Sequence, residues 1–274
     1  MRLPLSLALL AACAAVVAPA PAAQAPEALR IGDTFPIESA VLRETRRINV
    51  YAPAAYAESD TLRLPVLYMP DGGIGEDFLH IAGLVQIGSL NGTMRPMLLV
   101  GIENTERRRD LTGPTENEDD LTIAPRVGGS AAFRSFLRDE LIPAIAARYR
   151  TSGERAIIGE SLAGLFVVET LLLEPALFDT YIAVDPSLWW NDGRLAAGAV
   201  EALPERQVPD RTLVIAAADD PETATNAAAL AAALRDGGPA WLNVQHLPTP
   251  GEQHHTVFHP AALAAFRLVL GPRE

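Results

Sequence analysis

Hydrophobic positions along the chain follow two periods, and the way they alternate predicts the architecture. Residues 36–42 and 47–51 alternate apolar with polar side chains and predict an antiparallel pair of strands. Continuous apolar runs at 64–69, 97–102, 156–158, 181–184, 213–217 and 242–247 predict buried strands, and Asp71-Gly72-Gly73 closes the first of these runs in a turn. Helical spacing separates them. Phe78, Ile81, Leu84 and Ile87 mark one face of a helix over 76–90. Phe133, Phe136, Leu137, Leu141 and Ile145 mark another that starts at Ser130, and Pro143 should kink or restart it. Three more helices are expected over 162–173, about 223–234 and 261–270. Residues 103–128 are polar and irregular, with an acidic run from Glu116 to Asp120, and a connection of that length in a compact domain is usually functional or disordered. Strands that are near-continuous apolar runs and alternate with helices imply an α/β fold: a mostly parallel central sheet with helices on both faces.

Length and charge narrow this picture. A chain of 274 residues suits one large α/β domain, here 26–274, behind a targeting segment at 1–25. Arg2 is followed by an almost wholly apolar stretch through Ala18. Ala20-Pro21-Ala22 then supplies the small residues of a cleavage site, and the apolar run is shorter than the roughly 20 residues of a bilayer span. Export to the periplasm or the medium is therefore expected. Leu10-Ala11-Ala12-Cys13 also spells a lipobox, so a lipid anchor at Cys13 is the alternative form of the same export. Cys13 is the single cysteine, which leaves the folded domain no disulfide, no thiol nucleophile and no thiolate metal site. The net charge of −12 disfavours a nucleic-acid partner, and the absence of lysine excludes Ser–Lys and Schiff-base chemistry.

The sharpest motif is Ile157-Ile158-Gly159-Glu160-Ser161-Leu162-Ala163-Gly164-Leu165. A strand runs directly into a helix with a serine at the junction, a turn that holds the hydroxyl above the end of the sheet in a strained backbone conformation. Gly159 and Ala163 meet the need for small residues two before and two after Ser161, where strand and helix backbones nearly touch. The N–H of Leu162, at the helix start, is the first expected oxyanion donor. The second is expected from the turn after the 64–69 strand, at Gly73, with Gly72 shaping that turn. This order of elements is that of the α/β-hydrolase fold, in which the acid and then the histidine follow the serine in the chain. His80 precedes the serine and suits a helix face, His246 sits inside a strand, and the turn before the last helix offers His254 and His255. For the acid, Glu222, then Asp219, then Asp185 are the candidates, each near a strand end from which a carboxylate can fix the imidazole tautomer.

These residues together resemble the putative-esterase family of α/β-hydrolases, the siderophore-esterase and esterase D-like branches above all. The resemblance lies in Arg46-Arg47-Ile48-Asn49-Val50-Tyr51, in Pro65 to Gly72, in Glu103-Asn104-Thr105-Glu106-Arg107-Arg108-Arg109-Asp110-Leu111-Thr112, in the serine segment and in Pro186-Ser187-Leu188-Trp189-Trp190-Asn191, and it covers roughly residues 32–270. It implies that the base is His254, in Glu252-Gln253-His254. Three positions depart from the family pattern: Glu160, where histidine is common, Ala163, where glycine is common, and Asp185, where serine usually precedes Pro-Ser-Leu-Trp-Trp. The implied chemistry is hydrolysis of a small-molecule ester, of siderophore or phenolic type, through an acyl-enzyme on Ser161, with no metal and no cofactor. Trp189 and Trp190 would wall the substrate, and Arg107 and Arg109 would meet an anionic one. Acyl transfer to an acceptor other than water, and ligand binding without catalysis, are the competing expectations for the same site.

Overall fold

Eight strands form one sheet in the order β1-β2-β4-β3-β5-β6-β7-β8. They are β1 (Asp33–Ser39), β2 (Glu44–Tyr51), β3 (Leu64–Pro70), β4 (Leu98–Ile102), β5 (Thr151–Glu160), β6 (Thr180–Val184), β7 (Arg211–Ala217) and β8 (Leu242–Pro248). β1 and β2 pair antiparallel, β2 runs antiparallel to β4, and β4, β3, β5, β6, β7 and β8 are mutually parallel. The computed structural model describes residues 27–204 and 209–272, of which those from Gly32 on belong to one compact unit. The expected targeting segment and Cys13 lie outside the described residues. Among the described residues no helix is long and apolar enough to cross a membrane.

The continuous apolar strands bury both faces, as a parallel sheet requires. Side chains alternate across the pleat. Val66, Tyr68, Leu98, Val100, Ile157, Tyr181, Ala183, Leu213 and Ile215 face one layer, with Phe133 and Phe136, the Leu162–Leu173 helix and Leu230 and Leu234 of the Pro221–Gly237 helix. Leu67, Met69, Leu99, Ala156, Ile158, Ile182, Val184 and Val214 face the other, with the Phe78–Asn91 and Phe258–Val269 helices.

Several elements differ in extent from their apolar runs. β1 begins at Asp33 and ends at Ser39, because Val41 and Leu42 belong to the hairpin turn that Arg43 closes at φ 58°. β5 starts at Thr151, five residues ahead of its apolar run, because its exposed first half pairs with β3 across an irregularity between Leu64 and Val66. Helix Ser130–Phe136 passes through one wider π turn, Leu137–Leu141, into Ile142–Arg148. The wide turn lies just ahead of Pro143, which has no N–H to give and whose ring crowds the preceding turn. Inside the polar 103–128 segment are two short helices, Arg107–Asp110 and Glu118–Ile123. The C-terminal ends of β3, β5, β6 and β7, where open α/β sheets bind ligands, carry Asp71, Ser161, Asp185 and Asp219.

Candidate active site

Ser161 joins β5 to the Leu162–Leu173 helix at φ 59°, ψ −121°, a backbone conformation that non-glycine residues avoid. Neighbouring strands enforce it. The Ser161 N–H donates to Val184 O at the end of β6 (3.0 Å), and the Ser161 carbonyl accepts from Ser187 (3.1 Å) and Leu165 (2.9 Å). The need for small residues is visible in the distances. A Cβ on Gly159 would lie 2.6 Å from the carbonyl of Ala163, and one on Gly164 would lie 2.9 Å from Val184 O. The extra methyl of Ala163 is fully buried at this contact. Leu162 opens the helix, so its N–H is one of the first-turn donors that helical hydrogen bonds leave free. The Ser161 hydroxyl faces the hydroxyl of buried Ser187 at 3.3 Å.

His254 reaches this turn from the loop between β8 and the last helix. Its Nδ1 lies 2.5 Å from Oδ2 of Asp185, whose side chain is fully buried and whose other oxygen accepts from the Ala218 N–H at 2.8 Å. Asp185 follows Val184, the residue that anchors the Ser161 N–H, so serine and imidazole are tied to the same strand end. Asp185 itself has φ 44°. The carboxylate on Nδ1 is thus that of Asp185, which corrects the expected order of Glu222, then Asp219, then Asp185. The two residues ranked ahead of it do other things. Asp219 accepts from the Gly251 N–H (3.2 Å) and its own N–H donates to Glu252 O (2.8 Å), which shapes the loop that carries His254. Glu222 is exposed in the first turn of the Pro221–Gly237 helix, whose N-cap is Asp220, accepting from the N–H groups of Glu222 and Thr223. Asp before Pro at a helix start is a capping signal, and it was a reason legible in the sequence to discount this acidic run. His255 is exposed beside His254, and His80, on the Phe78–Asn91 helix, bonds Asp77 at 3.1 Å and His259 of the last helix at 3.4 Å.

The other ring nitrogen has a carboxylate too. His254 Nε2 lies 3.4 Å from Oε1 of Glu160, the residue immediately before the serine, whose side chain is 16% exposed. Burial pushes the Glu160 carboxyl up to about 7; the charges of His254 and Arg107 pull it down, and those of Asp77 and Asp71 push it further up. Arg107 stands close by, but its guanidinium holds Asp71 by two hydrogen bonds (2.7 and 2.8 Å) and touches Glu160 only at its carbonyl, at 3.5 Å. Asp71 also accepts from Asn104, which bonds Glu76.

Glu76 changes the expected oxyanion arrangement. The Gly73 N–H already donates to Glu76 Oε2 at 2.6 Å, and the Gly72 N–H to Ile102 O at 2.9 Å. Neither amide is free, because a carboxylate three residues on folds back over the turn. Gly72 keeps its expected place as a tight contact: a Cβ there would lie 2.2 Å from Gly101 Cα.

The expected substrate residues separate. Trp189 is 46% exposed and, with Leu188, Asp192, Glu222, Asn226 and Leu230, lines a cavity of about 550 Å³ whose lining begins one residue after Ser187. Trp190 is buried and donates to Gly113 O at 3.0 Å, so it is a packing residue. Arg109 is not poised for a substrate: it holds Glu44 (2.8 Å) and Asp110 (2.6 Å), and Asp110 in turn pairs with buried Arg46. Ser187 and the contact of Glu160 with His254 were not anticipated from the sequence. Strand adjacency reveals them, and only the order β5-β6 in the sheet supplies it.

A family model described as "Putative esterase" matches residues 39–237. The chain belongs to that family. Over 109 residues it is 39% identical to the ferri-bacillibactin esterase BesA of Bacillus subtilis, covering 35% of this chain and 38% of that one. Over 162 residues it is 31% identical to a siderophore triacetylfusarinine C esterase of Aspergillus fumigatus, covering 53% and 52% of the two. The chain therefore spans about half or less of the length of these relatives. Among solved structures, an IroE-like serine hydrolase from Shewanella oneidensis superposes with a TM-score of 0.79 at 28% identity, over 87% of this chain and 80% of that one. The siderophore hydrolase EstB from Aspergillus nidulans does so at 0.77 and 22% identity, over 92% and 99%, a likeness of fold.

Proposed function

We propose that the protein is an exported serine hydrolase of carboxylic esters, with Ser161 as nucleophile, His254 as general base and Asp185 as the residue that orients the base. The observation that carries this is the clamp of His254 Nδ1 on buried Asp185 at 2.5 Å, beside a serine held at positive φ. That clamp places the proton on Nδ1 and leaves Nε2 as the basic nitrogen. Catalysis requires the Ser161 hydroxyl to turn from Ser187 to Nε2. Nε2 takes its proton as the oxygen attacks the acyl carbon, and the N–H of Leu162 stabilises the oxyanion. Nε2–H then protonates the leaving alcohol, and water repeats the sequence in reverse to free the acid. Trp189 and the neighbouring cavity would hold the group next to the scissile bond. Names of the relatives favour a siderophore ester as the substrate. Signal cleavage, with or without acylation at Cys13, would deliver the enzyme to the periplasm or beyond.

The test is a fluorophosphonate labelling of the folded protein together with a screen of p-nitrophenyl esters, feruloyl esters and siderophore trilactones. Labelling at Ser161 and hydrolysis that Ser161→Ala reduces by roughly 10⁴-fold or more are expected. A folded wild-type protein that neither labels nor turns over any ester defeats the reading.

A further inference from the structure

Glu160 is the last residue of β5, directly before the nucleophile, and no step of the ester hydrolysis above uses it. It is three-quarters buried or more by side-chain exposure, and its carboxylate lies 3.4 Å from the nitrogen that must accept the serine proton. Its surroundings offer little else to stabilise its charge. Facing it are Arg107, whose Nε and Nη2 are held by Asp71; Asp71 at the end of β3; Asp77 ahead of the Phe78–Asn91 helix; and His254. Facing His254 are Glu160 on one side and Asp185 on the other, with the charge of Asp220 also within its field. Two carboxylates therefore share one imidazole, one at each nitrogen.

We propose that Glu160 is a positioning residue for the base: its carboxylate accepts the Nε2 proton of His254 and withholds that nitrogen from Ser161 until the shared proton leaves. This rests on Ser161 and His254 acting as proposed above. With one proton between Oε1 and Nε2, the Nε2 lone pair is engaged and the serine keeps its hydrogen bond to Ser187. When the proton passes to water, Nε2 is free to accept from Ser161, while Asp185 keeps Nδ1–H in place. A carboxyl pushed up to about 7 by burial still exchanges a proton near neutral pH with the imidazole it touches. The pair then titrates as a unit, and the acid limb of the rate profile belongs to the pair and not to the imidazole alone.

The experiment compares wild type, Glu160→Gln and Ser161→Ala. The kcat/KM of p-nitrophenyl acetate is followed from pH 5 to 9, and the His254 ring protons are followed by NMR over the same range. Glu160→Gln is expected to move the acid limb down by about one pH unit, which is roughly a tenfold gain in kcat/KM on that limb, with KM little changed. In wild type the His254 signal is expected to follow two coupled steps, and in Glu160→Gln a single one. An acid limb left where it was in Glu160→Gln overturns the assignment. So does a single His254 step in wild type, a measurement that needs no variant to fold. Undiminished hydrolysis by Ser161→Ala sinks the catalytic reading instead, and the His254 titration still decides whether Glu160 and the imidazole share a proton.

Discussion

Two regions of this molecule concentrate charge, and they handle it in opposite ways. Where the Arg107–Asp110 helix meets β2, charges are matched. Arg46 pairs with Asp110 and Glu44, Arg109 with Glu44, Asp110 and Glu106, and Arg126 with Glu106. Glu44 shows the result. Burial raises its carboxyl, but hydrogen bonds from Arg109 and Thr105 and the charges of Arg46 and Arg109 outweigh that and hold it at about 2. At the ends of β5 and β6 the balance fails. Asp185 and Glu160 converge on one imidazole, the nearest arginine is engaged by Asp71, and Glu160 moves up to about 7. Matched charge fastens a long loop to the sheet edge and holds Glu44 ionised. Unmatched charge leaves protons able to move, which is what acid–base chemistry needs.

This contrast predicts that substitutions in the two regions fail in different currencies. Asp185→Asn should cost most in rate: with Nδ1 no longer facing an anion, kcat should fall by roughly 10³- to 10⁴-fold while the melting temperature changes little. Glu222→Gln, at an exposed helix-start carboxylate while Asp185 and Glu160 hold the imidazole, should leave the pH–rate profile where it is. Stopped-flow or steady-state hydrolysis of a p-nitrophenyl ester measures both, and the reverse ranking would restore Glu222 as the acid. In the matched region Asp110→Ala should cost stability. It takes one of two carboxylate partners from Arg46, which is 1% exposed and keeps Glu44, so the cost lies at the low end of the about 3–5 kcal/mol for breaking a buried pair on one side. A drop of about 10 °C in melting temperature is expected, with the kcat of the folded fraction unchanged. A loss of rate without a loss of stability there would erase the distinction between the regions.

How much of this was legible beforehand depends on whether the signal is local. The succession of strands and helices and the Ser161 turn follow from apolar runs and from small residues at Gly159 and Ala163, all encoded within a few positions, whereas the order of the strands in the sheet does not. The restart at Pro143 was local as well. The acid was not. Three carboxylates near two strand ends are equivalent along the chain, and what separates them is that β6 lies beside β5 while Asp219 is engaged by the Gly251 loop and Glu222 sits in the first turn of a helix. Gly73 failed as a free donor for a similar reason, since nothing in Asp71-Gly72-Gly73 says that Glu76 will fold back onto its amide. Arg109 failed because its partner Glu44 is 65 positions away. Contacts that cross the sheet decide protonation and pairing, and the periodicity of the chain does not carry them.

The smallest predicted effect is the most specific to the contrast, because the two regions give it opposite signs. Glu44 titrates in the folded protein at about 2, below its ordinary value near 4.5, so the fold binds fewer protons than the unfolded chain between those values. Its contribution is present above the unfolded value and is lost as the pH falls through about 2. Glu44→Gln should therefore lower the melting temperature at pH 7, and the difference should shrink as the pH falls below about 4. Glu160 titrates near 7, above its ordinary value, so the fold holds a proton that the unfolded chain has released, and stability is lost as the pH rises through that value. Glu160→Gln keeps the shape and removes the charge. It should raise the melting temperature by about 2–5 °C at pH 8.5 and have almost no effect at pH 4, as scanning calorimetry in matched buffers would register. If the two variants shift stability in the same direction at high pH, Glu160 has a cationic partner as good as that of Glu44, and the separation between a matched and an unmatched region is lost.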